Sequence, residues 1–397
     1  MVCVQVGFVR GCRPFAMRVL FVSKAIVPPF HDGTKCLVRD IAQNLTRVEP
    51  LVLSSKGAAA SLFGPASRSR VSSVPVYSGA GSFTPALAQN MRAAAWILLR
   101  SRADVWHFVF APNRNSSQAG RWLSRVRRVP VVQTIASPPR SFADVDGLLF
   151  GNIVVAQSRW TRDQVIATYT AKGLNPPELR VIPPPVPLDL VRTREQTASV
   201  RAELRIPPEA PLFVYPGDLE TSRGAQVTAE LAARIGAKVP GAVVVFAYRN
   251  KSKESQPIAE ALRAGLNAES TRFVASLPDI LSLIGSATAV LFPVDDLWGK
   301  VDLPIVLLEA MVLGVPVLSY DGGPLADLQG VVHLSTLDAD AWLEAAASLA
   351  LDPAARSACI ERQSSRVREN HGASRIAAAY EELYLELGTR SAAHSQA

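Results

Sequence analysis

Cysteine is scarce in this chain: Cys3, Cys12, Cys36 and Cys359 are the four present in 397 residues. They form no CxxC pair and no regular spacing, which argues against a disulfide framework or a structural zinc site and suits a reducing cytoplasm. Histidine is also sparse, and His31, His107, His333, His371 and His394 do not cluster, so no metal site is expected. No apolar run approaches the roughly 20 residues a membrane span needs, because Trp96-Ile-Leu-Leu is cut off by Arg100 and Arg102. A Walker phosphate loop, a full GxGxxG and a Ser/His/Asp context are missing as well. Their absence argues against ATPases, ordinary dinucleotide oxidoreductases and hydrolases.

What is present points to two domains. A chain of this length with 48% hydrophobic residues is too long for one ordinary core. Short apolar runs at Val19 to Val22, Leu51 to Leu53, Val105 to Phe110, Val129 to Thr134 and Ile153 to Ala156 read as strands separated by helical segments. That alternation implies a doubly wound parallel sheet. Val181-Ile-Pro-Pro-Pro-Val-Pro187 then enforces extended backbone and reads as a linker. A second α/β series follows, with strands at Leu212 to Gly217, Val243 to Tyr248, Phe273-Val, Ala289 to Phe292 and Val315 to Ser319. Helices are expected over Asp340 to Leu349 and Ala373 to Leu387, with a disordered tail from Gly388. Residues 1–16 read as an extension outside the fold, since Met17 opens the first clean strand.

Charge is divided unevenly. Through residue 190 there are 23 lysines and arginines against 9 aspartates and glutamates, a net of +14; the remainder has 19 against 25, a net of −6, which together give the +8 of the whole. The basic excess concentrates in Arg92 to Arg102 and Arg121 to Arg128, where tryptophans are interleaved. Such helices could lie on an anionic membrane surface, or could be solvated basic faces with Trp96 and Trp122 turned into the core. No nucleic-acid-binding motif accompanies them.

Three segments could carry chemistry. Pro28-Pro-Phe-His-Asp-Gly33 is a small turn leading into a helix, where backbone amides can approach a phosphate or a sugar. Gly217-Asp-Leu-Glu-Thr-Ser-Arg223-Gly224 turns from a strand into a helix, and an arginine there suits a diphosphate. Phe292 to Gly323 reads as strand, polar loop, helix and strand. In it, Glu309 stands among Leu307, Leu308 and Met311, and a carboxylate in so apolar a segment needs a partner such as a ribose diol. Asp302, seven residues earlier, could face the same ligand or could be an ordinary cap before Pro304.

Taken in order, these pieces resemble the retaining glycosyltransferases of family four. The matching residues are the Gly33 turn, Asp104-Val-Trp-His107, Ala156-Gln-Ser158-Arg-Trp-Thr-Arg162, Val181-Ile-Pro183, Gly217-x-Leu219-x-x-x-Arg223-Gly224, and Leu307-Leu-Glu-Ala-Met311 with Gly314-x-Pro316-Val317. The resemblance covers about residues 17–387. It implies the GT-B architecture, α/β with two Rossmann-like doubly wound parallel-sheet domains facing a cleft. The acceptor-side domain would be 17–187 and the nucleotide-sugar-binding domain 188–370, with a helix and tail in 371–397 that pack back on the first.

The implied activity is transfer of a sugar from a UDP- or GDP-sugar, with retention of configuration, to a glycan, lipid-linked or metabolite acceptor. It requires no cofactor and no metal, and the setting would be cytoplasmic, peripheral at the inner face of the membrane. By the same resemblance Gly33, Arg223, Gly224, Pro304, Ile305, Val306 and Glu309 would bind the donor, while His31, Lys35 and His107 would lie on the acceptor side.

The sequence also departs from that pattern. Val301 stands where the family's first Glu is usual, Asp302-Leu-Pro-Ile305 replaces Gly-Phe-Gly-Leu, Asp218 replaces an arginine, and Ala136 stands where a first-lobe histidine is expected. Asp302, aided by Lys300, is the expected substitute contact to the donor. These losses leave open a catalytically weakened nucleotide- or partner-binding paralogue, and the fold leaves open a nucleotide-sugar epimerase.

Overall fold

The computed structural model describes residues 17–28, 30, 32–55, 71–78, 85–250 and 252–396. The residues 1–16 read as an extension lie outside them. Two sheets, parallel throughout, organise the molecule. The first contains β1 (Arg18–Val22), β2 (Glu49–Ser55), β3 (Ser72–Tyr77), β4 (Val105–Phe110), β5 (Val131–Ile135), β6 (Ile153–Ala156) and β7 (Leu179–Val181), in the order β3-β2-β1-β4-β5-β6-β7. The second contains β8 (Leu212–Tyr215), β9 (Val243–Tyr248), β10 (Thr271–Ala275), β11 (Ala289–Phe292), β12 (Val317–Tyr320) and β13 (Val332–Leu334), in the order β10-β9-β8-β11-β12-β13. Helices cover both faces of such sheets, so central strands are buried at every position: β9 reads as an unbroken apolar run, and β5 carries Gln133 and Thr134 with their side chains hydrogen-bonded. The edge strands β3, β7 and β13 are largely half-exposed, and their mixed sequences gave no such signal.

Local chemistry fixes where the helices begin. α1 (Gly33–Asn44) starts at Asp32, whose Oδ1 accepts from the amides of Thr34 at 3.0 Å and Lys35 at 3.2 Å. α2 (Leu87–Arg100) precedes β4, and α3 (Arg114–Arg127) follows it, capped by Asn113. α4 (Arg159–Ala171) is capped by Ser158. α5 (Ile305–Val312) opens directly after Pro304 and is stopped by Gly314, whose φ of 72° is accessible to glycine at little cost. α6 (Ala373–Gln396) runs straight through Gly388 as helix, where the sequence reading placed a disordered tail.

α6 belongs physically to the first sheet. Its Ile376, Ala377, Tyr380, Leu383, Tyr384 and Leu387 join that lobe's core, and Glu381 accepts from the backbone amides of Thr46 and Arg47. The chain therefore crosses between the lobes twice. The crossings lie side by side: the amide of Val186 donates to His371 O at 2.8 Å, and that of Ala373 donates to Val186 O at 3.1 Å.

Candidate functional site between the sheets

In each sheet the strand order reverses between two neighbours, β1 with β4 and β8 with β11. Loops diverge from the carboxyl ends at such points and leave a crevice. Here the loops after all four strands open on one shared cavity of about 940 Å³. Gly33, Pro304, Ile305, Val306, Glu309 and Lys300 all line it, so those expected site residues are brought together although they come from both lobes.

Glu309 stands in the cavity wall, and its carboxyl makes no hydrogen bond within the protein among the described residues. Burial pushes its carboxyl up to about 7; Asp40 adds to the rise, while Arg39 and Arg192 oppose it. Arg39 in turn forks onto the buried Asp40, with Nε to Oδ1 at 2.6 Å and Nη2 to Oδ2 at 3.0 Å. Lys24 Nζ lies 2.7 Å from Asp32 Oδ2. Burial pushes Asp32 upward, but the charge and hydrogen bond of Lys24 overcome this and hold it below its ordinary value.

The position where the family pattern has an arginine carries a different device. Asp218, almost fully buried, sits between two cations: Lys300 Nζ is 2.6 Å from its Oδ2, while Arg249 reaches Oδ1 with Nε at 3.2 Å and Nη2 at 3.0 Å. Tyr215 holds the loop by donating its hydroxyl to Asp218 O at 2.9 Å. Gly217 is required there, because a Cβ would meet the Tyr215 ring at 2.3 Å. Gly33 likewise lies so close to Val301 that a Cβ would be 3.1 Å from its Cγ1. Val301 and Ile305 thereby join the first lobe's core across the cleft, so where an acidic residue was usual there is an apolar seam.

Several expectations need correction. Asp302 is fully buried and absent from the cavity lining; its Oδ2 accepts from Ser158 Oγ at 2.7 Å, a first-lobe partner that turns it away from any donor. It does not cap its own helix either, since Pro304 occupies that position. Burial pushes Asp302 up to about 6, with Ser158 and Thr161 pulling it down. Arg223 is exposed outside the cavity, its amide donating to Asp295 Oδ1 at 3.1 Å. Gly224 serves packing, since a Cβ would meet Pro293 O at 2.9 Å. Lys35 is buried and donates to Val27 O at 3.2 Å; burial lowers its pKa. His107 is fully buried, with Nε2 at 2.7 Å from Thr134 Oγ1 and Nδ1 at 2.8 Å from Tyr384 OH. Burial lowers it to about 3, so it is a neutral core residue. His31 lies outside the described residues.

Lys24, Arg39, Arg192 and Arg249 line the cavity and were not singled out from the sequence. Lys24 and Arg249 follow the carboxyl ends of β1 and β9 by one or two residues, a position rule that could have found them. Arg39 sits inside α1, and nothing in its local spacing marks it. Among the described residues no three His, Cys, Asp or Glu side chains gather to hold a metal, and no helix is long and apolar enough to cross a membrane.

HepE of Anabaena, solved with UDP-glucose, superposes with a TM-score of 0.68 over 93% of this chain and 100% of its own, at 14% identity. The fold is GT-B. Sucrose-phosphate synthase from Thermosynechococcus elongatus gives 0.69 over 94% and 100% at 16% identity, and a glycosyltransferase from Rickettsia africae gives 0.68 over 94% and 98% at 15%. Residues 196–366 match the family model described as glycosyl transferases group 1. That GT-B half carries Asp218, Arg249, Lys300 and Glu309. No curated protein matches the sequence.

Proposed function

We propose that the protein is a glycosyltransferase that moves a sugar from a nucleotide-sugar donor to an acceptor with retention of configuration. The observation that carries this reading is Glu309, a cavity-facing carboxylate without a hydrogen-bonding partner among the described residues, set on the helix that opens at the β8/β11 switch point. The match of residues 196–366 to group 1 glycosyl transferases supports it, as does the UDP-glucose held by HepE.

In this reading Glu309 accepts from the ribose hydroxyls. The donor's phosphates lie against the amides at the start of α5, where the helix dipole favours negative charge. Lys300 and Arg249 turn from Asp218 towards the phosphates and offset the charge that grows on the leaving diphosphate. Asp302 has no part in the chemistry. Closure of the seam between Gly33 and Val301 excludes water from the activated donor. The first lobe receives the acceptor, and its basic, tryptophan-bearing helices α2 and α3 rest on an anionic membrane surface.

The reading is tested by thermal-shift screening against UDP, GDP and ADP and their sugars, followed by an assay for slow nucleotide release. A rise in Tm with one nucleotide and release from its sugar are expected. Neither effect across the panel would sink the proposal. A second reading, a nucleotide-binding module without turnover, is favoured by Val301 at the first Glu position and by Asp218 between the cations; it predicts the Tm rise with no release.

A further inference from the structure

The cavity's charge is distributed by wall. Lys24, Asp32 and Arg39 come from the β1–α1 segment, and the remaining charged side chains come from the linker and the second lobe. Among the described lining residues contributed by α2, β4 and α3, none is charged. Leu87, Met91, Ala94 and Ile97 of α2 line this arm of the cavity, as do Phe108 of β4 and Leu123 of α3. Phe108 is backed by Phe150, edge-on with ring centroids 5.1 Å apart, and Gly120 lets α3 lie directly on Phe150, since a Cβ would meet that ring at 2.4 Å. Polar groups along the arm are Asn90, Asn115 and Ser116, which donate and accept without carrying charge.

Leu87 and Met91 are 76% and 64% exposed although they face this cavity. Large side chains left open beside a concave apolar surface mark a binding groove. An acceptor bearing phosphate or carboxylate would lose its water there and find no cation among the described lining residues of the arm. An uncharged apolar body would gain by burial, and the charged half of the same cavity places the polar end beside the donor.

We propose that the acceptor is an uncharged amphiphile, an alcohol or sugar hydroxyl attached to an apolar alkyl or aromatic body, with that body held between α2 and α3 on Phe108. This rests on the transferase reading for what happens to the hydroxyl, but binding of the apolar body does not.

Calorimetric titration of the full chain with four probes tests it: octyl glucoside below its micellar concentration, phenyl glucoside, methyl glucoside and glucose 6-phosphate. The octyl or phenyl compound should bind at least about tenfold more tightly than methyl glucoside. Whichever of the two is tighter tells a lipid-like chain from an aromatic metabolite. Met91→Asp, and Leu87→Asp as a second exposed variant, should each remove that preference. Equal or no binding of the octyl, phenyl and methyl glucosides, or a preference unchanged in both variants, would overturn the proposal; glucose 6-phosphate, whose phosphate can reach the cations of the charged half, is the control for that half. UDP titrated into the same samples separates the two readings. Octyl glucoside binding through Met91 in a protein that binds no nucleotide would sink the transferase and leave the apolar arm standing; nucleotide binding and turnover without the apolar preference would do the reverse.

Discussion

Glu309 ties acid–base behaviour to ligand binding in one side chain. With its pKa near 7, the carboxyl binds a proton in the folded protein that it has lost in the unfolded chain between about pH 4.5 and 7. Its contribution to the stability of the ligand-free protein is therefore complete below 4.5 and is lost as pH rises through 7. Ribose hydroxyls donate to the ionised form, so nucleotide affinity should move the opposite way and strengthen from pH 6 to pH 8. Glu309→Gln should weaken nucleotide binding by roughly tenfold at pH 8, about the value of a hydrogen bond to a charged group, and flatten the pH profile; calorimetry at three pH values checks both. At Asp218 the expectation is a gain. Asp218→Asn removes the carboxylate that competes for Lys300 and Arg249, so UDP should bind several-fold more tightly at low salt. Weaker binding would instead mean that Asp218 positions the two cations. That Glu309 and Gly33 stand at the cavity was legible from a lone carboxylate in an apolar helix and from a glycine turn ahead of a helix, which are local signatures. The partners of Asp302 and His107 lie 144 and 277 residues away, and no local pattern reports such pairs.

At the scale of elements, the start of α4 joins the lobes. Ser158 caps the helix by accepting from the amide of Thr161 at 3.0 Å, and the same hydroxyl donates to Asp302; beside it the amide of Arg159 donates to Asp327. Two second-lobe carboxylates thus meet the positive end of a first-lobe helix. Asp302 has its folded pKa raised from 3.8 to about 6, so its contribution to stability is full below 3.8 and fades as pH rises through 6. An Asn there has no charge to bury. Asp302→Asn should accordingly gain on the wild type by up to about 3 kcal/mol between pH 4 and pH 7, read from urea unfolding at each pH. Ser158→Ala should cost about 1 kcal/mol or more through the lost cap. The central strands were legible as elements because burial on both faces makes them mostly apolar, with buried His107, Gln133 and Thr134 as the hydrogen-bonded exceptions. The helix Pro353–His371 was not, because its sequence is mostly polar and few of its residues are buried.

For the molecule as a whole, the uneven charge of the two halves gains a location. Trp122 is 55% exposed on α3, whereas Trp96 packs against the core, so of the pair expected inside a solvated basic face only Trp96 is turned inward. Arg121 and Arg127 are engaged with backbone carbonyls of their own lobe, while Arg92, Arg100 and Arg125 remain exposed. Sedimentation with anionic vesicles should show binding at low salt that falls as salt rises; no binding at low salt would remove the membrane from the reading. α6 is needed for the first lobe to stand. Tyr384→Phe leaves His107 Nδ1 without its partner in the core, and should cost about 1–3 kcal/mol in thermal or urea unfolding.

The paired crossings at Val186 and Gly372 restrict how the two lobes can turn against each other. A lobe hung on a single strand of chain could swivel about it in any direction. Two strands fastened to each other by the amides of Val186 and Ala373 act as a door hinge, with one favoured axis along the pair. A rotation about that axis would part Gly33 from Val301 and return them to the same register, which would bring the four loops of the site back into alignment. Severing the chain beside Gly372 would leave α6 held to the first lobe by its packing alone and turn the hinge into a swivel.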